Sequence, residues 1–140
     1  MRQYRLIYNT PTNGAWNMAV DEAILSAVIA GDAPPTLRFY GWNPPCLSLG
    51  HGQSLSDADM KQLDMLGWDV VRRPTGGKAI LHTDELTYSL ALPQHHPLAQ
   101  GSIVESYRRI SSGLMAGLNL LGTTLYADKR ADESKITGAV

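Results

Sequence analysis

Between Trp68 and Leu92, three strand-length segments follow one another with only turn residues between them. They are 68–72, closed by Pro74; 79–82, after the pair Gly76-Gly77; and 86–92, after Thr83-Asp84-Glu85. Parallel neighbours need a crossover of a dozen or more residues, so strands this close in sequence predict antiparallel pairing. Upstream, short strands are expected at 4–8, 37–42 and 46–49, the last two separated by Pro44-Pro45. In 37–42, Leu37 and Phe39 fall on one side and Arg38 and Tyr40 on the other, the alternation of a half-buried strand.

Three helices complete the pattern. Trp16, Val20, Ala23 and Ala27 recur at helical spacing, with Asn13 as N-cap and Gly31 as stop. A second helix is expected over 56–66, capped by Ser56 and ended by Gly67. A third starts at Ser102, where Glu105 completes a capping box. Its apolar stripe is Tyr107, Ser111, Leu114, Leu118 and Leu121, with Gly122 as stop. The order predicts one α+β domain, a mixed and largely antiparallel sheet flanked by helices.

At 140 residues the chain can bury a core without disulfides or metals. One cysteine, Cys46, excludes an internal disulfide and fits a reducing compartment. A net charge of −1 gives no field to gather nucleic acid or anionic lipid. No apolar run reaches bilayer length and no signal peptide opens the chain, so the reading is cytoplasmic, with no membrane and no nucleic-acid partner.

The stretch richest in chemistry is Arg72-Arg73-Pro74-Thr75-Gly76-Gly77-Lys78-Ala79-Ile80-Leu81-His82. Two arginines end a strand. A Gly-Gly turn lets backbone N–H groups approach a ligand closely. Lys78 adds charge, and His82 can orient a carbonyl or move a proton. Arginine, glycine amides and lysine together suit a carboxylate, a phosphate or a thioester oxygen. A Gly-Gly pair by itself equally serves a hairpin; the combination over eleven residues carries the functional reading.

Continued through Thr83-Asp84-Glu85-Leu86-Thr87-Tyr88-Ser89, this stretch resembles the acyl-binding signature of the lipoate–protein ligase A and octanoyltransferase family. Asn17-Met18-Ala19-Val20-Asp21-Glu22 resembles the family's first helix. Trp42-Asn43-Pro44-Pro45-Cys46-Leu47-Ser48-Leu49-Gly50 with Gln53 resembles the strand and loop after it. Ser106-Tyr107-Arg108-Arg109-Ile110 resembles the start of the next family helix. The resemblance implies residues 1–140 are the N-terminal part of a single biotin/lipoate-ligase-like catalytic domain, truncated at its C-terminus. It implies that Arg72, Arg73, Thr75, Gly76, Gly77, Lys78 and His82 bind the acyl group. It also implies transfer of an octanoyl or lipoyl group to a lysine of a lipoyl domain or of the glycine cleavage H protein.

Ligases of the family show three glycines followed by His-Asp-x-Gly-Asn. The pattern from Lys78 to Ser89 is closer to the cysteine-dependent octanoyltransferases. These take octanoate from octanoyl-acyl carrier protein through an enzyme thioester, with no cofactor. An ATP- and magnesium-dependent ligase is the alternative, and a non-catalytic half of a split ligase or an acyl-binding module a further one. The family's nucleophilic cysteine follows a Gly-Ala-Val-like stretch, here Gly138-Ala139-Val140, so no catalytic residue is expected within the chain and the nucleophile is expected after Val140. Cys46 is read as a packing residue, and Lys129 and Lys135 as solvated lysines. No metal ligands are expected.

Overall fold

The computed structural model describes residues 3–123 and 125, which divide after Ala91 into two compact units. The first unit holds strands β1 (Arg5–Tyr8), β2 (Thr36–Tyr40), β3 (Cys46–Leu49), β4 (Asp69–Arg72), β5 (Ile80–His82) and β6 (Thr87–Ala91), with helices α1 (Gly14–Ala30) and α2 (Met60–Met65). The second unit carries a 3₁₀ turn at Pro97–Ala99 and helix α3 (Ile103–Asn119).

The α+β class is as expected, with two mixed sheets of three strands, β1-β2-β6 and β4-β3-β5. The two parallel pairs, β1 with β2 and β3 with β4, each bracket a helical connection long enough for the crossover. The antiparallel partners, β6 on β2 and β5 on β3, return later in the chain. The consecutive strands β4, β5 and β6 therefore do not pair with one another, contrary to the expectation from their short connections. β4 and β5 flank β3 on opposite sides, and the Gly76-Gly77 segment crosses the end of β3 rather than closing a hairpin.

Asn13 caps α1, its side chain accepting from the Trp16 N–H, and Gly31 ends it in the left-handed conformation at φ 82°. The buried face is Gly14, Asn17, Met18, Ile24 and Val28, not the stripe expected from Trp16, Val20, Ala23 and Ala27; Trp16 is exposed. An apolar periodicity missed this face because its inner positions include Asn17 and Asp21. Both engage Arg38, which is wholly buried on β2. The buried side of β2 is correspondingly Thr36, Arg38 and Tyr40, while Leu37 and Phe39 are only half-buried.

The Arg38 guanidinium is surrounded by acceptors. Its Nε donates to Asn9 Oδ1 (2.7 Å), Nη1 to Asp21 Oδ1 (2.8 Å) and the Asn17 carbonyl (3.1 Å), and Nη2 to Asn17 Oδ1 (2.8 Å). Asp21 also accepts from the Tyr40 hydroxyl (2.9 Å) and Ser89 (2.6 Å), which ties α1 to β2 and β6. Burial and the Asp21 charge push the Tyr40 phenol up. Apolar packing lies on both sides of this network: Met18, Tyr40, Trp42 and Cys46 in one cluster, Ile24, Val28 and Ala91 in the other.

The expected helix over 56–66 is divided. Ser54 caps a 3₁₀ turn at Leu55–Asp57, and Asp59 caps α2. Side-chain bonds to the backbone at Ser54 and Asp59 compete with a continuous helix and win. Gly67 ends α2 at φ 65°, as expected. In the second unit the Ser102–Glu105 capping box forms as read. The expected buried stripe of α3 does not: no α3 residue is buried, Tyr107 and Leu118 are exposed, and Leu121 lies beyond the helix. Within this unit the 3₁₀ turn is the neighbour of α3, and one turn covers too little of a 17-residue helix. Arg109 donates to the carbonyls of Pro97, Leu98 and Gln100 and holds that turn. No helix of the described residues is long and apolar enough to cross a membrane.

Candidate active site

β3 and β4 run parallel, so both deliver their C-terminal ends to the same edge of the sheet. The chain leaves β4 at Arg72, crosses above the end of β3 and descends as β5. The crossing is close. A Cβ on Gly50 would lie 1.9 Å from the Gly77 carbonyl oxygen, so only glycine fits beneath the loop. Gly77 itself has φ 98°, which favours glycine. The backbone supports the crossing at two more points, Arg73 N–H to the Leu49 carbonyl (2.8 Å) and His51 N–H to the Thr75 carbonyl (3.0 Å).

Six of the seven residues singled out in the sequence lie along this crossing, in different roles, while His82 lies below it at the far end of β5, opposite Cys46. Arg72 Nη1 donates to the carbonyls of Gly50 (2.8 Å), His51 (3.0 Å) and Gln53 (2.7 Å), bracing the loop after β3. Arg73 turns inward. Its Nη1 donates to the Ser48 carbonyl (2.7 Å) and hydroxyl (2.6 Å), and its Nη2 to the carbonyls of Gly76 (3.3 Å) and Lys78 (2.8 Å). Burial lowers the guanidinium from its ordinary value, with Tyr40 acting in the opposite sense. Arginine stays charged through such a shift. Thr75, Gly76, Gly77 and Lys78 are exposed along the crossing.

His82 is buried at the end of β5 and stacks on the Trp42 indole, with ring centroids 4.1 Å apart. Its Nε2 lies 2.6 Å from Ser48 Oγ and its Nδ1 2.5 Å from Glu85 Oε1. Glu85 also accepts from Thr87 Oγ1 (2.6 Å), which in turn accepts from Trp42 Nε1 (2.7 Å). Partial burial opposes ionisation of Glu85, but the bonds from Thr87 and His82 outweigh it and hold the carboxyl below its ordinary range. The acyl-signature reading reached Arg73 and His82 but gave no role to Ser48, Glu85, Thr87 or Trp42. Trp42 and Ser48 stood in one motif of the resemblance and Glu85 and Thr87 in another; the pairing of β5 with β3 and β6 with β2 is what gathers them.

Cys46 is wholly buried, and burial, helped by the Asp69 charge, pushes its thiol up to about 12. Asp69 accepts from the Gly14 N–H at the start of α1 (2.8 Å). A thiol so placed is a small packing group rather than a nucleophile. Its thiolate fraction at neutral pH falls on the order of a thousandfold below that of an ordinary thiol. Iodoacetamide at pH 8 is therefore expected to leave Cys46 unmodified in the folded chain and to label it in urea, by intact mass. Rapid native labelling would contradict this. The segment Gly138-Ala139-Val140, Lys129 and Lys135 lie outside the described residues.

The lipoyl protein ligase A/B catalytic domain family matches residues 13–139. The octanoyltransferase LipM of Kyrpidia tusciae is 44% identical over 136 residues, covering 96% of this chain and 50% of that protein. The chain spans about half the length of the curated relatives it matches. Among solved structures, a bi-partite lipoate protein ligase from Thermoplasma acidophilum, described with its E2 lipoyl domain, aligns at TM-score 0.78 and 26% identity over 92% of this chain and 49% of its own. A lipoate-protein ligase A bound with ATP aligns at TM-score 0.75 and 26% identity, over 87% of this chain and 48% of its own.

Proposed function

Because the chain belongs to the lipoyl protein ligase A/B catalytic domain family, we propose that it forms the acyl-binding part of an octanoyltransferase. On this reading it is the N-terminal part of one catalytic domain that acts in the cytoplasm. The whole enzyme moves an octanoyl group from octanoyl-acyl carrier protein to a lysine of a lipoyl domain or of the glycine cleavage H protein. The observation that carries the proposal is the crossing loop, Thr75 to Lys78, held over the end of β3 by Arg73, with Arg72 bracing the loop after β3 beneath it. Similarity to a protein named octanoyltransferase LipM along nearly the whole chain supports the choice of reaction.

The chemistry needs a nucleophile, and the buried Cys46 is unsuited to it. We place the nucleophilic cysteine beyond Val140. Its thiolate attacks the carbonyl of the octanoyl thioester, and the phosphopantetheine thiolate leaves and takes up a proton. The neutral amine of the carrier lysine then attacks the enzyme thioester. An amide forms, the amine gives up its proton, and the enzyme thiol is regenerated. Both steps pass through a tetrahedral oxyanion. Amides of the Gly76-Gly77 loop stabilise it, and each well-aimed donor is typically worth ~3–4 kcal/mol. Arg73 acts by holding that loop, Arg72 by bracing the loop after β3 on which it rests, and Lys78 stands at the exposed edge to meet the acyl donor.

The test uses the full-length gene product with octanoyl-acyl carrier protein and a lipoyl domain, followed by mass spectrometry. Octanoylation of the domain without ATP is expected. A second reading, an ATP-dependent lipoate–protein ligase using magnesium, is favoured by the likeness to the ATP-bound ligase. Modification that requires free lipoate or octanoate with ATP, and releases pyrophosphate, would establish that reading instead. No modification under either condition would remove both. In the same assay His82→Ala is expected to lower turnover about 10–100-fold, the usual effect of removing a group that orients a working residue. Normal turnover would show that His82 is not needed.

A further inference from the structure

The hydrogen-bond chain beneath the loop has a direction at both ends. Trp42 Nε1 can only donate, so Thr87 Oγ1 accepts from it and spends its own proton on Glu85 Oε1. Glu85, held ionised, can only accept, so His82 Nδ1 must carry a proton towards it. At the other end Arg73 Nη1 can only donate, so Ser48 Oγ accepts. The Ser48 proton then has two possible acceptors, His82 Nε2 at 2.6 Å and the Ile80 carbonyl at 3.5 Å. With that proton on the 2.6 Å contact, Nε2 is the acceptor; in the competing arrangement Nε2–H donates to Ser48 while Ser48 turns to Ile80, and nitrogen-15 NMR decides between the two.

From this the geometry points to Ser48 and Glu85 as positioning residues that hold His82 as the neutral Nδ1–H tautomer and so tie Arg73, and with it the Gly76-Gly77 loop, to the Trp42–Thr87 end of the chain. The opposite tautomer would set a bare Nδ1 against the Glu85 carboxylate at 2.5 Å, two acceptors with no proton between them. Both ring nitrogens are engaged within the chain, so His82 acts through Ser48 and Arg73 rather than on the substrate. Arg73 passes the constraint to the carbonyls of Gly76 and Lys78. The stacked Trp42 ring fixes the imidazole plane. This inference rests on the proposed acyl-transfer role of the loop for its catalytic consequence, but not for the tautomer itself.

Nitrogen-15 NMR of the full-length gene product reads the tautomer directly, with the His82 signals identified by their loss in His82→Gln. The expected pattern is a protonated, pyrrole-like Nδ1 and an unprotonated, pyridine-like Nε2. Glu85→Leu, at a side chain 36% exposed, is expected to leave the fold intact and to take away the acceptor of Nδ1–H, so that the Nε2–H form becomes populated; Glu85→Gln is expected to keep Nδ1–H, because its amide oxygen takes the place of Oε1 between Thr87 and Nδ1. Thr87→Val, which removes a different link, is the second variant and is expected to weaken the Nδ1–H bond without reversing the tautomer. In octanoyl transfer Glu85→Leu is expected to lower kcat about 10–100-fold, with KM changed far less. A wild-type pattern with Nε2 protonated, alone or together with Nδ1, or a Glu85→Leu pattern identical to wild type, overturns the inference. Should the wild-type protein show the Nδ1–H pattern but no acyl transfer, the tautomer assignment stands and the proposed function falls.

Discussion

Arg38→Met is expected to destabilise the fold by about 3–5 kcal/mol, the usual consequence of removing one member of a buried ion pair. Arg38 is fully buried, and its removal strips Asp21 of the cation it pairs with at 2.8 Å and Asn17 Oδ1 of a donor. The methionine matches much of the volume, so the effect reports lost charge and hydrogen bonds rather than a cavity. The guanidinium also sits 3.9 Å from the centre of the Tyr40 ring, a contact methionine replaces only in part. A typical domain has a total stability of roughly 5–15 kcal/mol, so the loss is a large share of the whole. Urea unfolding followed by circular dichroism measures it, as a lowered midpoint at unchanged slope. A loss below about 1 kcal/mol would mean the network contributes little net stability. Arg38→Met with Asp21→Leu should recover part of it, since the carboxylate is no longer left without its cation.

Gly50→Ala is expected to act on the loop more than on the core. The added Cβ would stand 1.9 Å from the Gly77 oxygen, and the obstacle is backbone that no side-chain rotation can clear. The loop must lift by more than an ångström. The bonds from His51 to Thr75 and from Arg73 to Gly76 and Lys78 then lengthen or break. Overpacking of this kind typically costs about 1–3 kcal/mol. The catalytic effect should be larger: a displacement near 1 Å in a positioning element can lower turnover about 100-fold. In the full-length gene product, kcat for octanoyl transfer and the urea midpoint measured together separate the two effects. Unchanged transfer with Gly50→Ala would mean that the crossing loop takes no part in the reaction. Gly52→Ala is the control, because a Cβ there meets nothing within 4 Å.

The sequence carried the elements that local chemistry decides. Asn13 and Gly31 bound α1 because a side-chain oxygen and a missing Cβ act within a few residues. Ser102 and Glu105 close a capping box for the same reason. The strands appeared at nearly their observed places because alternation and proline breaks are local too, and Cys46–Leu49 was placed to the residue. The Arg72–His82 stretch was legible as a candidate site because its residue types are unusual together over a short span.

What the chain could not reveal alone is which local pieces meet. Pairing partners depend on contacts far apart in sequence, so β4 and β5, neighbours along the chain, lie on opposite sides of β3. Hydrophobic periodicity located α1 but not its inner face, since a buried Asn17 and Asp21 read as solvent-facing until Arg38, 17 residues beyond Asp21, arrives to pair with them. The site divides in the same way. Residue identity marked Arg73 and His82, but only the register of β3 with β5 and of β2 with β6 brings Ser48 and Glu85 to the two ring nitrogens of His82 and Thr87 to Trp42. A hydrogen bond has its strength only at about 3 Å, and tertiary structure alone sets that distance between residues tens of positions apart.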